Sequence, residues 1–299
     1  MNDIILKIIP VVLVFVLGYT LKRIGLLKKA DADLFLRVVF YVALPSLVLL
    51  SITNLKLSWD LVYLPVIPAF VIAITAGASF LIGKIMHLER KTFGVLLIGT
   101  MIMNLGFAIP FIFAAYGEEG LARLTLFDFG NAILTFSFIY YIACRYGEDK
   151  KNPTAMIKKL AYSVPLWALA GSIAMNLAGI KLPNAASGFL QITGNMTVPL
   201  VMLSLGIYFS PKLVKIRPLL SGLVIRMAFG LFLGFMFVKL FHLEGLNRII
   251  VIICSSAPIG YNTLTFSSLA KLDKEFAASL VSFSVLAGLV FIPILLMIL

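Results

Sequence analysis

Charge is scarce in this chain: only 13% of its 299 residues are charged, against roughly 25% in soluble globular domains. Thirteen residues are acidic, and Asp128 alone among them falls inside a long apolar run. A carboxylate pair for intramembrane catalysis is therefore missing, and the chain does not read as an enzyme. The two histidines, His87 and His242, lie in stretches that read as loops, which removes a histidine metal centre from the apolar segments. The two cysteines, Cys144 and Cys254, both fall within apolar runs, where they suit small buried side chains and give no disulfide framework. No P-loop occurs, so ATP is not the direct energy source.

Apolar residues are abundant instead. They make up 61% of the chain, with a mean hydropathy of +1.07. Runs of about 20 such residues, enough to cross a hydrocarbon core of roughly 30 Å as helix, recur along the whole length. Ten spans are predicted, at 4–21, 34–52, 61–83, 93–115, 121–143, 160–178, 188–208, 218–239, 247–268 and 277–298. That pattern is an all-α membrane protein with no room for a soluble domain. The first span lacks a basic leader and a small-residue cleavage site, so it is kept as a helix of the mature protein.

The formal net charge of +12 invites a nucleic-acid partner, but the placement of the charges argues otherwise. Eighteen Lys and Arg residues lie in or beside the odd-numbered loops, among them Lys22, Arg23, Lys84, Lys150, Lys159 and Lys215, while five lie by the even-numbered loops. This is the positive-inside signature. It puts the odd loops in the cytoplasm and both termini outside, in a multi-pass protein of the cell membrane. A nucleic-acid partner is not needed to explain the charge.

Two stretches break the apolar pattern. Thr100 to Phe111, TMIMNLGFAIPF, and Cys254 to Ser268, CSSAPIGYNTLTFSS, each carry a proline, a glycine and an asparagine inside an apolar segment. Pro110 and Pro258 each remove a backbone donor and block a helical bond, so the freed groups need partners in protein or in a polar cavity. From Ser255 to Ser268, eight of fourteen residues bear a hydroxyl or side-chain amide, too many for a face toward lipid. The spacing predicts two interrupted helices around a polar site at mid-membrane.

The two halves also echo each other. Gly18 precedes Pro45 by 27 residues and Gly171 precedes Pro199 by 28, and each half then carries its own proline-interrupted span. Five spans per half is an odd number, so the halves, 1–150 and 151–299, take opposite orientations. Inverted repeats with broken helices at the midplane are the architecture of secondary transporters.

GYTLKRIGLL, ADADLFLRVVFYVALPSLVLLSI, MLSLGIYFSP and the run from SSAPIGYNTLTFSS to VFIPILL stand in this order along the chain. Together they resemble the auxin efflux carrier family, which includes bacterial malonate- and malate-type carriers and the plant PIN-type auxin exporters. The resemblance implies ten helices in two inverted five-helix repeats, the fold shared with bile-acid symporters and sodium/proton antiporters. It also implies that helices 4 and 9 cross at their broken points, that helices 1, 2, 6 and 7 form a scaffold with a homodimer contact, and that helices 3–5 and 8–10 move. The short loop Tyr146–Lys159 stands where the plant exporters carry a long insertion, as in a compact prokaryotic form.

The same resemblance puts Asn104 at the asparagine that faces the carboxylate of auxin in plant members, although its spacing of six to Pro110 is one shorter than theirs. Independently, an amide can donate to a carboxylate without the desolvation cost of a buried charge, and half-helix N-termini add positive partial charge. Asn104 could equally satisfy a carbonyl freed by the break. Tyr261, Asn262 and Thr265 are the binding candidates on helix 9, Asn195 is a weaker one near Pro199, and Pro110, Pro258 and Gly260 shape the crossing. Asn176 reads as a helix–helix hydrogen-bonding residue. Asp128, with Asn131 and Thr135 on one stripe, is a candidate proton carrier or a paired structural carboxylate. Arg226, the one basic residue well inside helix 8, could counter a substrate anion, pair with Asp128 or snorkel to the surface.

These readings converge on a secondary transporter for a small organic anion, working by elevator-type alternating access within the bilayer. It needs no cofactor, and coupling to protons or sodium is left open. A sodium-coupled symporter of the same fold and a non-transporting receptor are the alternatives.

Overall fold

The computed structural model describes residues 2–148 and 161–299. The basic cluster Lys150, Lys151, Lys158 and Lys159, the boundary between the two halves, and most of the short loop from Tyr146 to Lys159 lie outside the described residues.

Helix α1 runs Asn2–Arg23. Helix α2, Lys29–Val38, passes through a π-helical turn at Val39–Ala43 into α3, Leu44–Thr53. After a short 3₁₀ turn at Trp59–Val62 come α4, Tyr63–Ile85, and α5, Arg90–Met101. Helix α6, Leu105–Leu134, continues through a second π turn, Thr135–Ile139, into α7, Tyr140–Tyr146. Then follow α8, Val164–Leu177, α9, Asn184–Gly194, and α10, Thr197–Tyr208. Helix α11, Ile216–Leu223, leads through a third π turn, Val224–Phe229, into α12, Gly230–Leu240. The chain ends with α13, Gly245–Ser255, α14, Asn262–Leu269, and α15, Lys274–Ile298.

Among the described residues, six helical runs are long and apolar enough to cross a membrane, and Val164–Leu177 and Gly245–Ser255 are shorter apolar helices. No strand longer than an isolated bridge occurs among these residues. The arrangement is that of a multi-pass membrane protein, because in hydrocarbon each backbone polar group must be satisfied within the segment. The spans expected at 93–115 and 121–143 are divided differently: the chain breaks after Met101 and then runs as helix from Leu105, bending at Gly117, whose φ of +61° suits a residue without a Cβ. Pro110 therefore lies inside α6 and not at the break.

Helices α1 and α10 form one tightly packed pair. A Cβ on Gly18 would collide with the carbonyl of Leu203, and one on Gly206 with the carbonyl of Phe15. Glycine at both positions lets the two backbones touch, the packing mode that replaces the hydrophobic effect between helices in lipid. Helix α3 packs on α8 and α9. The Asn176 amide on α8 caps it, donating to the carbonyls of Ile52 at 2.8 Å, Thr53 at 3.0 Å and Leu55 at 2.7 Å, groups that a helix C-terminus leaves unpaired. The helix-packing role read for Asn176 from the sequence is what it performs. A second group of helices, α4–α7 and α11–α15, packs mainly within itself, and α6 touches both groups.

Candidate functional site

The two interrupted segments meet. Met103 and Ile259 form an antiparallel bridge, the Asn104 N–H donates to the Pro258 carbonyl at 2.8 Å, and the Gly260 N–H donates to the Ile102 carbonyl at 3.0 Å. A two-stranded ribbon three residues long thus crosses between α5–α6 and α13–α14. Glycine is required at 260 because a Cβ there would strike the Ile102 side chain. On the far side Gly288 of α15 leaves room for the Pro258 ring. A further donor in the ribbon, Ile259 N–H, is received by the Ser284 hydroxyl at 3.1 Å.

Asn104 is the N-cap of α6. Its Oδ1 accepts from the Phe107 N–H at 3.1 Å and its Nδ2 donates to the Ile259 carbonyl at 3.3 Å. Only 6% of the residue is exposed, and both ends of its amide serve the break itself. Gly106, two residues on, is the one exposed residue between Gly94 and Ile112. The first N–H groups of a helix have no partner inside it, and Asn104 caps only that of Phe107. The N-terminus of α6 therefore opens at Gly106, a position that the sequence reading passed over because a glycine carries no side-chain signal.

The N-terminus of α14 is more fully closed, the Thr263 N–H donating to the Gly260 carbonyl at 3.0 Å. Asn262, its first residue, is half-buried, and among the described residues its side chain forms no hydrogen bond. Tyr261 caps the turn: its carbonyl accepts from Leu264 N–H at 2.9 Å and from Thr265 N–H at 3.3 Å. The Tyr261 ring packs on that of Tyr208 at the end of α10, with centroids 5.7 Å apart. Tyr208 in turn donates its hydroxyl to the Asp33 carboxylate on α2. Tyr208 is a second residue that the sequence reading missed; nothing in its local pattern signals that α10 ends against the crossing. Thr265 is exposed, and the buried hydroxyls of this helix belong to Thr263 and Ser267, neither with a hydrogen-bond partner.

The ionisable candidates separate. Asp128 is half-buried and accepts from Asn131 Nδ2 at 2.9 Å. Arg226, in the third π turn, is fully buried and forms no ion pair among the described residues. Among the described residues it makes no ion pair or hydrogen bond with Asp128, and it does not reach the protein surface. Its Nη1 donates to the Thr100 carbonyl at 3.0 Å and its Nη2 to the Ser255 carbonyl. These carbonyls belong to the last turns of α5 and α13, which leave them without a partner where the helices end, and the π turn holds Arg226 between them. Asn195 is exposed, caps α9, and its Oδ1 accepts from Gln191 at 3.4 Å. No hydrogen bond joins it to the ribbon.

The site is thus a pair of broken helices whose freed backbone groups are met by Asn104, Ser284 and Arg226, with the N-terminus of α6 left open and the Asn262 side chain making no hydrogen bond among the described residues. Among the described residues no group of three or more His, Cys, Asp and Glu is placed to hold a metal. Broken, mutually capped helices inside a bundle of apolar spans define a membrane transport protein. The chain belongs to the membrane transport protein family of auxin efflux carriers, whose family model matches residues 3–296. It is similar to an uncharacterized transporter of Methanocaldococcus jannaschii, 31% identical over 287 residues that cover 93% of this chain and 92% of the relative. It is also similar to an uncharacterized transporter of Methanothermobacter thermautotrophicus, 29% identical over 296 residues, 96% of this chain and 95% of that one.

Proposed function

We propose that this protein is a secondary transporter that carries a small organic anion, a mono- or dicarboxylate, across the cell membrane by alternating access, binding it beside the paired breaks. The observation that carries this reading is the set of unspent donors there. The N-terminus of α6 opens at Gly106, and among the described residues the Asn262 amide at the start of α14 has no partner and no carboxylate is hydrogen-bonded to either. Helix N-termini and neutral amides favour an anion at little desolvation cost. Tyr261 and Tyr208 supply an aromatic wall for the carbon skeleton.

In this reading the chain makes ten spans in two inverted five-helix repeats, with both termini outside. Helices α1–α3 and α8–α10 are the static scaffold and the face for a homodimer, while the other group slides past them. The Tyr208–Tyr261 contact then lies on the sliding surface. Asp128 with Asn131 is the group available for a proton, and Asn104, Pro110, Pro258 and Gly260 hold the site's shape.

Counterflow in proteoliposomes tests the proposal. Vesicles loaded with one unlabelled carboxylate should accumulate the labelled form transiently, with saturation. A protein that binds carboxylates yet exchanges none would be a receptor, and the transport reading would fall.

A further inference from the structure

Arg226 carries a full charge into the middle of the bundle, and no acid among the described residues meets it. It is 0% exposed, and among the described residues its only hydrogen bonds are to the carbonyls of Thr100 and Ser255, while Nε finds no partner. A buried, uncompensated guanidinium is costly, so something else must supply negative potential. The geometry provides it: α5 and α13 both end at this side chain, and a helix C-terminus presents about half a negative charge. Two such ends sum to roughly one unit, matched to one guanidinium. The planar fork of arginine can serve both carbonyls at once, which the point charge of a lysine ammonium cannot do.

The surroundings are built for this group. Glycine at 230 is needed because a Cβ there would meet the Ser255 carbonyl and come within 2.8 Å of the Arg226 Nη2. The Ser255 hydroxyl beside it is fully buried and unpaired. In carriers made from broken helices, unwound carbonyls and half-helix C-termini are the groups that coordinate a coupling cation. Here the side chain of the protein itself takes up those carbonyls.

We propose that Arg226 is a resident cation, filling the place between the two half-helix C-termini that a coupling metal ion would otherwise take, so that this carrier works without sodium. Neutralising the C-termini also leaves the N-terminus of α6 as the uncompensated end, which sets the polarity of the site for an anion. This inference takes the carrier reading above as its setting, but its test involves no anion, so the two can fail separately.

The test is thermal unfolding of the purified protein at constant ionic strength, with choline chloride replaced stepwise by sodium or guanidinium chloride in the low millimolar range. Wild type should melt at the same temperature in sodium as in choline. Arg226→Ala should melt lower in choline and recover saturably with guanidinium, while Arg226→Lys, which keeps the charge but not the fork, should melt between the two and gain less from guanidinium than Arg226→Ala. A saturable sodium shift in wild type would overturn the proposal, as would an Arg226→Ala protein that responds to guanidinium no more than to choline. Should Arg226→Ala not survive purification, Arg226→Met decides. Recovery of Arg226→Ala by extraction in guanidinium supports the resident charge; survival of Arg226→Met without any cation shows that the side chain only fills space.

Discussion

The Asn104 N–H and the Pro258 carbonyl lie 2.8 Å apart, and this one bond joins two breaks from opposite halves of the chain. Interrupting a helix inside a membrane frees groups that lipid cannot satisfy. Here each break supplies the other's partners, and the ribbon from Ile102 to Asn104 against Pro258 to Gly260 makes the crossing a fixed structure.

Asparagines 104 and 262 should therefore behave differently. Asn104→Ala removes an N-cap and the bond to Ile259, at a cost of about 1–2 kcal/mol in stability, seen as a lower melting temperature. Asn262→Ala leaves every described hydrogen bond intact and should melt as wild type while losing carboxylate binding at least tenfold. Paired melting and binding curves check both.

Close helix contact predicts a sharp difference among glycines. Gly206→Ala forces a Cβ against the Phe15 carbonyl and the α1 backbone, and should destabilise by about 1–3 kcal/mol. Gly77→Ala, with nothing within 4 Å, should be neutral or stabilising by up to about 1 kcal/mol. Thermal unfolding of the two variants side by side measures the contrast.

Much of this was legible in the sequence, for identifiable reasons. Apolar runs must be about 20 residues long to span, so the helices declared themselves, and the polar residues from Ser255 to Ser268 could only belong to a non-lipid environment. The role of Asn176 followed from a lone amide on a packed helix. The position of the first break did not follow, because Pro110 is the stronger local signal and yet the helix accommodates it, while the break is fixed by the Asn104 cap and by bonds to Pro258. The Arg226 partners were equally hidden. Sequence suggests a carboxylate for a buried arginine, and backbone carbonyls at two helix ends leave no mark in the pattern. Tyr208 meets Tyr261 only because the fold brings the end of α10 to the crossing.

Tyr208 should act through its ring and its hydroxyl separately. Tyr208→Phe loses the bond to Asp33 but keeps the ring against Tyr261, so Asp33→Asn and Tyr208→Phe should shift apparent carboxylate affinity alike. Their double variant should be no worse than either alone, the mark of one shared interaction. Tyr208→Ala should be more severe than all three.

Acid should loosen the end of the molecule that carries Asp273. Burial alone would push this carboxyl up, but Lys215 Nζ at 2.6 Å, the Phe276 N–H at 3.0 Å and the Thr92 hydroxyl at 2.8 Å more than offset that and hold it below the ordinary carboxylate value. A depressed folded value means that stability is fully present above the unfolded value, about 3.9, and is lost as pH falls through the folded one. Melting temperature should drop on acidification below about pH 4, and Asp273→Asn should weaken that dependence while lowering the neutral-pH value modestly, since the pair is partly exposed.

The most direct test of the central claim is solid-supported membrane electrophysiology on proteoliposomes, with a panel of mono- and dicarboxylates applied to wild type and to Asn262→Ala. The account predicts a saturable current with at least one carboxylate in wild type, unchanged when sodium is replaced by choline and abolished in a correctly folded Asn262→Ala. A current that survives in Asn262→Ala, or no current with any carboxylate while a neutral or cationic solute gives one, would contradict it.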